Sequence, residues 1–404
     1  MTATHPTAKS TWDGARKTAI IGWGVSEITR DSSRSLSELT LRACDKAIDD
    51  SGLDPTDIDG LATYPDQPFR GAPATDGVDL VTVNYLLNHA HFAPDVTWYC
   101  QVSDGMIASA IAEAVNALIA GACTYALVWR SLRKPAGEYG GWRGDVAVGD
   151  DQFCAPYGLT SIIQTHAVGY QRYLHRYNAD PAAMSALTTN SRRNANLNPH
   201  AIFRDRKLTV ADYLAAPVVA DPLRLYDCDV PVQGCAAIVL TTADRAADRP
   251  HDPAYVLAHA QGTNHRAPIM HPVYMTMDHM SNGASTANKL WRRAGLGPAD
   301  IDVAELYDGF APSTYYWLES AGFCGEGEAA HFVQDGRVAL EGEFPVNTFG
   351  GSLSEGRLHG MGHVIEAARQ VTGLADQRQV KDAHVAVALD GSPMLRNSGI
   401  VLAT

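Results

Sequence analysis

The stretch Gly52-Leu53-Asp54-Pro55-Thr56-Asp57-Ile58-Asp59 returns further along the chain as Gly295-Leu296-Gly297-Pro298-Ala299-Asp300-Ile301-Asp302. In each copy a glycine closes a helix-like segment and a short apolar run follows. That run is Gly60-Leu61-Ala62-Thr63-Tyr64 in the first copy and Val303-Ala304-Glu305-Leu306-Tyr307 in the second. Glycine suits the position after a last helical turn because the residue there takes a left-handed backbone. One helix–turn–strand unit used twice, far apart, predicts a body of two related halves packed face to face. The cleft between such halves is the natural place for chemistry, with Tyr307 beside it.

The resemblance between the halves extends beyond the octapeptide. Thr18 to Gly24 reads as a short strand. Ser35, with Glu38 three residues on, has the form of a capping box before Leu39, Ala43, Ala47 and Ile48 at helical spacing. Gly105 to Gly121 is rich in small residues and apolar nearly all round, which predicts a helix buried in the middle of the body. The strand Tyr125 to Trp129 comes straight after it. The second half repeats the order with a turn at Gly350-Gly351, a helix from Gly360 to Gly373 and a strand from Val385 to Leu389. Ala236 to Leu240 reads as a strand returning to the first half, and Ala254 to Ala258 as the one that opens the second. Helices alternating with strands imply an α/β fold with mostly parallel sheets.

Residues 131–222 have a different texture. They carry Gly140-Gly141-Trp142, the tyrosines Tyr157, Tyr170, Tyr173 and Tyr177, and the basic clusters Arg192-Arg193 and Arg204-Asp205-Arg206-Lys207. Such an insertion reads as a lid or cap on the first half, where binding residues often sit. The expected division is a flexible tail (1–16), a first half (17–130 with 223–250), the inserted cap (131–222) and a second half (251–404).

A chain of 404 residues suits two domains or one large duplicated body. Hydrophobic content of 46% and charged content of 19% belong to a well-buried globular protein. A formal charge of -13 argues against a general nucleic-acid binder, which needs a basic stripe. It leaves room for a local pair of arginines to hold a small anion. No apolar run approaches a membrane span, and Met1 to Arg16 is polar with no signal-peptide core. The cysteines at 44, 100, 123, 154, 228, 235 and 324 are scattered, with no CxxC pair. That is the pattern of reduced thiols in a cytoplasmic protein. His359 and His363 lie at a spacing that can bind zinc, but no HExxH and no third ligand accompany them, so no metal is expected.

Several blocks, taken in order, carry a family resemblance over essentially the whole length. They are Ala19-Ile20-Ile21-Gly22, Asn194-Ala195-Asn196-Leu197-Asn198-Pro199 and Ala220 to Cys228. Glu305-Leu306-Tyr307-Asp308-Gly309-Phe310 follows, then Asn347-Thr348-Phe349-Gly350-Gly351 running on to Gly360. The chain resembles the sterol-carrier-protein-type thiolases and, closer still, the thiolase-like lipid-transfer proteins of actinobacterial steroid degradation. The resemblance implies an α/β thiolase fold of two pseudo-symmetric βαβαβαββ halves, forming a five-layered αβαβα body with an inserted loop domain. It also implies a homodimer through the first half and coenzyme A thioesters as ligands, with no cofactor beyond the coenzyme A of the substrate. Arg192, Arg193 and Arg204 of the insertion, with Gly351 and Gly391, are the residues assigned to binding it.

The departures from true thiolases bear on the reaction. The nucleophilic cysteine that opens the buried helix in that family is replaced in the block Val102-Ser103-Asp104-Gly105, and Cys100 lies two residues too early. The histidine of the glycine-His-Pro motif corresponds to Arg357. The C-terminal cysteine-plus-glycines motif reads Asp390-Gly391-Ser392-Pro393-Met394, and Tyr307 stands where an Asn or His polarises the thioester. Without those thiols and that histidine the acyl-enzyme route is lost, because covalent catalysis needs a nucleophile beside its base.

What remains resembles the thiolase-like aldolases, which cleave a β-hydroxyacyl-CoA by a retro-aldol reaction. In steroid catabolism they release a 17-keto steroid and propionyl-CoA, working with a partner protein that carries an OB-fold and a zinc ribbon. Tyr307 matches the aldolases' tyrosine and is the expected acid/base or enolate stabiliser. The second tyrosine of their Glu-Gly-Tyr-x-His-Gly block is Arg357 here, in Glu355-Gly356-Arg357-Leu358-His359-Gly360. A guanidinium cannot act as a base, though it can hold an alkoxide or enolate, and His359 is available to shuttle a proton at neutral pH.

Other positions carry double readings. Cys100 is an inert thiol or a displaced nucleophile, and Asp104 a helix cap or a base. His265, His271 and the stretch from Met270 to Met280 line an acyl tunnel or an interface. The expected function is a carbon–carbon lyase acting on a bulky, steroid-derived β-hydroxyacyl-CoA. Its rivals are a thiolase-like acyltransferase or condensing enzyme using Cys100 or another thiol, and a non-catalytic acyl-CoA-binding subunit.

Overall fold

The computed structural model describes residues 10–31, 33–64, 74–103, 106–134, 146–147, 149–262 and 279–404. Asp104, Gly140-Gly141-Trp142, His265, Met270, His271 and residues 1–9 of the expected tail lie outside the described residues.

Both copies of the repeated stretch fold alike. Gly52 and Gly295 take left-handed φ angles of 68° and 70° after the helices Leu36–Asp50 and His279–Ala294. Each copy then makes one 3-10 turn, Pro55–Asp57 or Pro298–Asp300. The last aspartate of the turn reaches back in both. Asp57 accepts from the Asp54 amide at 2.9 Å, and Asp300 from the Gly297 amide at 2.7 Å. The shared Gly, Pro and Asp therefore encode one turn geometry.

The strands are β1 (Thr18–Val25), β2 (Gly60–Thr63), β3 (Trp98–Gln101), β4 (Tyr125–Arg133), β5 (Val218–Ala220), β6 (Leu223–Arg224), β7 (Gln233–Thr242), β8 (Ala254–Gly262), β9 (Val303–Leu306), β10 (Val385–Gly391) and β11 (Asn397–Ala403). The main sheet runs β3-β2-β4-β7-β1-β8-β11-β10-β9, and β5 pairs with β6 separately. The first half thus has the order β3-β2-β4-β7-β1. The second mirrors it as β9-β10-β11-β8, with a parallel bridge from Ala304 to Val346 standing in the place of β3.

The sheet is mixed, which corrects the expectation of mostly parallel pairing. Among the described residues, parallel ladders are confined to β2 with β3 and β4, and to β9 with β10. Helices cross between β2 and β4 and between β9 and β10. The link from β10 to β11 is residues 392–396 alone, and so short a connection allows only antiparallel pairing.

Alternate residues of each strand face two different cores, because side chains on a strand have period two. Ile20, Val128, Ile238, Ala388, Ile400 and Leu402 pack into one central cluster with the helices Ile107–Ile119 and Met361–Thr372. Their strand neighbours Ile21, Trp129 and Val239 face an outer cluster with helix Leu36–Asp50. Leu389 and Val401 face another, with the helices His279–Ala294 and Ala311–Ser320. The result is five layers, αβαβα. β1 and β8 meet at only two residue pairs, Ala19 with Tyr255 and Ile20 with Ala254. Beyond that seam the half-sheets separate and enclose the two central helices.

The inserted segment packs on the second half, which corrects its expected place on the first. Its helices Ile162–Tyr177 and Met184–Ala195 place Tyr170, Tyr173, Leu174 and Leu187 in the cluster of Leu306, Phe310, Tyr315 and Trp317. Polar bonds fasten the contact. Asn194 donates to the Asn347 carbonyl at 3.0 Å, and Asn198 to the Phe349 carbonyl and the Glu355 carboxylate at 2.9 Å. The two asparagine-containing motifs of the sequence are thus halves of one clasp. Among the described residues no helix is long and apolar enough to cross a membrane.

Candidate active site

Tyr307 follows β9 directly, and its amide donates to the Leu389 carbonyl at 2.9 Å, extending the ladder to β10. The ring is 9% exposed and lies against Gly309, where an added Cβ would stand 2.7 Å from the phenolic oxygen. Any side chain at 309 would displace the phenol. Burial pushes the phenol well above its ordinary pKa. Arg357 opposes the shift, while Asp229, Asp390 and Asp308 add to it. Tyr307 is therefore a proton-bearing donor at neutral pH.

The loop 347–360 brings the other expected residues to this ring. Asn347 holds the loop on β9 through both ends of its amide, with the Leu306 amide at 2.7 Å and the Leu306 carbonyl at 2.9 Å. Arg357 lies beside Asp229, Nη1 to Oδ2, at 3.1 Å. His359 has φ of 45°, an uncommon backbone for a non-glycine residue, and its ring stands at 74° to that of Tyr307 with centroids 6.5 Å apart. Its Nδ1 atom is hydrogen-bonded to Nη2 of Arg130, a fully buried residue of β4. Desolvation of the ring, then Arg130, Arg357 and Lys134, hold the imidazole well below its usual pKa. Both the direction of that shift and the Arg130 bond to Nδ1 favour the neutral form of the ring.

Two residues to which the sequence assigned no catalytic role, His363 and Asp390, complete the cluster. His363 bonds to Asp308 through Nε2 at 3.1 Å, and its ring lies 5.8 Å from that of Tyr307. Asp390 is the last residue but one of β10 and reaches the buried helix of the first half. Its Oδ2 accepts from the amides of Ile107 at 2.9 Å and Ala108 at 3.3 Å. Burial pushes the Asp390 carboxyl up to about 7, with His363 and the amides of Ala108, Gly391 and Ile107 pulling the other way. Gly360, with φ of 89°, makes room for it, since a Cβ there would stand 2.2 Å from Oδ1. The signal for Asp390 was present in the sequence: it occupies the first position of the motif that carries a cysteine in true thiolases.

Against this geometry the similarities with known proteins are specific. A model of the family "Thiolase C-terminal domain-like" matches residues 260–404. The 17-hydroxy-3-oxo-4-pregnene-20-carboxyl-CoA lyase of Mycobacterium tuberculosis is 32% identical over 395 residues, covering 95% of this chain and 98% of that protein. The chain belongs to the aldolase branch of the thiolase-like family. The steroid side-chain-cleaving aldolase of Thermomonospora curvata is also 32% identical, over 88% of this chain and 90% of that protein. The solved Ltp2-ChsH2(DUF35) aldolase superposes with a TM-score of 0.85 at 29% identity, over 96% of this chain and 98% of that one.

Within this aldolase-branch site the remaining expected residues fall in different places. Gly351 backs onto Asp308, whose Oδ1 accepts from the Ser352 amide at 2.7 Å. Gly391 donates its amide to Asp390 at 2.9 Å and accepts the Trp317 indole at 2.8 Å. Arg192 is 4% exposed. Its guanidinium lies over Phe203 at 4.1 Å, and its Nε donates to Ser354 at 3.2 Å. Arg193, the next position on that helix, is exposed and paired with Glu341 at 3.0 Å. It lines a polar cavity of about 480 Å³ with His331 and Arg337. Arg204 is exposed on the insertion. Arg192 is thus buried apart from the exposed Arg193 and Arg204.

Cys100 lies on β3, and burial, then Glu113, push its thiol up from the ordinary value, away from thiolate character. His359 and His363 turn to different partners, Arg130 and Asp308. Among the described residues no group of three or more His, Cys, Asp or Glu is placed to hold a metal ion.

Proposed function

We propose that this chain is a carbon–carbon lyase that cleaves a bulky, steroid-derived β-hydroxyacyl-CoA into a ketone and a short acyl-CoA. The carrying observation is the cluster around Tyr307, whose proton-bearing phenol stands beside the His359 ring and within the field of Asp390, a carboxyl poised near neutrality. The reaction needs a base to take the β-hydroxyl proton. The Cα–Cβ bond then breaks, its electron pair passes into the thioester to form an enolate, and a proton returned to Cα completes the acyl-CoA.

Tyr307 donates to the enolate oxygen and Arg357 adds positive charge beside it. One pre-aimed donor of this kind contributes about 10²–10³ in rate. Asp390 is our choice of base, because a general base works best with a pKa near the operating pH. Arg193 and Arg204 are the candidates for the phosphates of coenzyme A, whereas buried Arg192 fastens the insertion to the loop below it.

The working unit is proposed to be cytoplasmic and homodimeric, with a second protein of the OB-fold and zinc-ribbon kind. The similar solved structure is that of an aldolase together with a DUF35 protein. The edge strand β3, with Tyr99 65% exposed, offers a surface for self-association. The test is to co-purify the chain with such a partner and supply a tertiary β-hydroxyacyl-CoA. Release of ketone and short acyl-CoA, with no added acyl acceptor, is the expected result. A requirement for an acyl acceptor would overturn the proposal in favour of acyl transfer.

A further inference from the structure

Arg130 has no place in the reaction as drawn so far. It is a fully buried arginine in the first half's sheet, with Nη1 donating to the carbonyls of Tyr64 at 2.5 Å and Ser131 at 3.2 Å. Its guanidinium lies over the Tyr64 ring at 4.7 Å. An arginine placed this way is held rigidly, and its Nη2 points across the cleft to Nδ1 of His359 in the other half.

A guanidinium has donors only and stays protonated in proteins. The His359–Arg130 bond therefore has one polarity: Nη2–H donates and Nδ1 accepts through its lone pair. A neutral imidazole with a lone pair on Nδ1 carries its proton on Nε2. The left-handed backbone at His359, followed by φ of 89° at Gly360, fixes where that ring stands. Strained backbone retained beside a cleft is the kind of feature associated with function. His359 as a whole residue is half-buried.

We propose that Arg130 is a positioning residue for the lyase reaction: it locks His359 as the Nε2–H tautomer and so aims a fixed neutral hydrogen-bond donor at the enolate oxygen. This rests on the lyase reading for the identity of the oxygen, but the ring assignment does not. The charged and titratable groups around the ring agree with a neutral donor. Arg130 approaches from β4 and Lys134 from just after it, Arg357 from the same loop as His359 with its partner Asp229 from before β7, and Tyr307 from just after β9. His363 lies beside the phenol, and Asp390 acts on it electrostatically. The cations nearest the ring oppose an imidazolium, and burial acts in the same direction.

The experiment is a long-range 1H–15N spectrum of the full chain labelled at histidine, with His359 assigned by its loss in His359→Gln. The expected result is a single Nε2–H tautomer that does not titrate between about pH 5 and 8, the range over which an ordinary histidine changes charge. An imidazolium, or an Nδ1–H tautomer, in the unaltered protein overturns the inference without any turnover being measured.

Arg130→Met is expected to release the ring to titrate and to lower kcat by about 10²-fold with KM changed by less than about twofold, the mark of a donor that acts in the transition state. Arg130→Lys, which keeps the charge and a donor, is expected to restore both the tautomer and most of kcat, and serves if the methionine variant does not fold. Unchanged kcat in a folded Arg130→Met protein overturns the positioning role. Lack of lyase turnover in the unaltered protein counts against the lyase reading alone, since the tautomer is read in its absence.

Discussion

Arg130 and Asp390 hold the same place in the two halves. Trp129 pairs with Thr63 as Leu389 pairs with Leu306, so residues 130 and 390 are the next positions along equivalent strands. Each crosses to the central helix of the opposite half. Asp390 accepts from the first amides of helix Ile107–Ile119, and Arg130 holds His359, just before helix Met361–Thr372. The same register equates Tyr64 with Tyr307. The first phenol lies against Arg130, which leaves the second as the donor of the cleft.

Tyr307→Phe removes the hydroxyl and keeps the ring against Gly309. We expect kcat to fall by about 10²–10³, while calorimetry shows acyl-CoA binding unchanged. Full turnover in a complex with the partner protein would transfer the chemistry to that partner.

Asp390→Asn keeps an oxygen to accept from Ile107 and Ala108, so the fold should persist. What it loses is a proton acceptor. With a carboxyl at about 7, kcat/KM of the unaltered protein should fall as pH drops below 7, because the ionised form is depleted. The variant should be slow and lack that limb. A pH–rate profile from pH 5.5 to 8.5 compares the two.

Cys100→Ala should retain full activity, and alkylation of the unaltered protein at pH 7 should be slow at this position. Its thiol is raised rather than activated. Mass spectrometry during turnover should find no acylated side chain.

His166 is stacked on Phe310 with centroids 4.1 Å apart, where the insertion meets the second half, and burial lowers it to about 3. In the unfolded chain it protonates near 6.5, so between those values only the unfolded state gains a proton. Its contribution is complete above pH 6.5 and is lost as pH falls toward 3, at up to about 1.4 kcal/mol per pH unit. His166→Phe should narrow the loss of stability on acidification, read by urea unfolding at pH 7 and pH 5.

The repeated octapeptide made the duplication legible because its Gly, Pro and Asp each serve one turn geometry. Tyr307, Arg357 and His359 were legible through motif order, and the structure does gather them. Less was legible where meaning depended on contacts distant in sequence. Nothing beside His359 announces that Arg130, from the other half, would take its Nδ1. The basic pair Arg192-Arg193 looked like a single anion site, yet successive helical positions point about 100° apart. One packs under Phe203 and the other pairs with Glu341. The side on which the insertion settles was hidden for the same reason.

That settling has a consequence for how the protein has been able to change. Residues 149–222 of the insertion depart from one duplicate and take root on the other, through Asn194, Asn198 and the tyrosines around Phe310. Neither duplicate can then be excised as a free-standing module. Recombination among relatives must carry the asparagine helix and the 347–355 loop as one inheritance, or break the bracket that joins them.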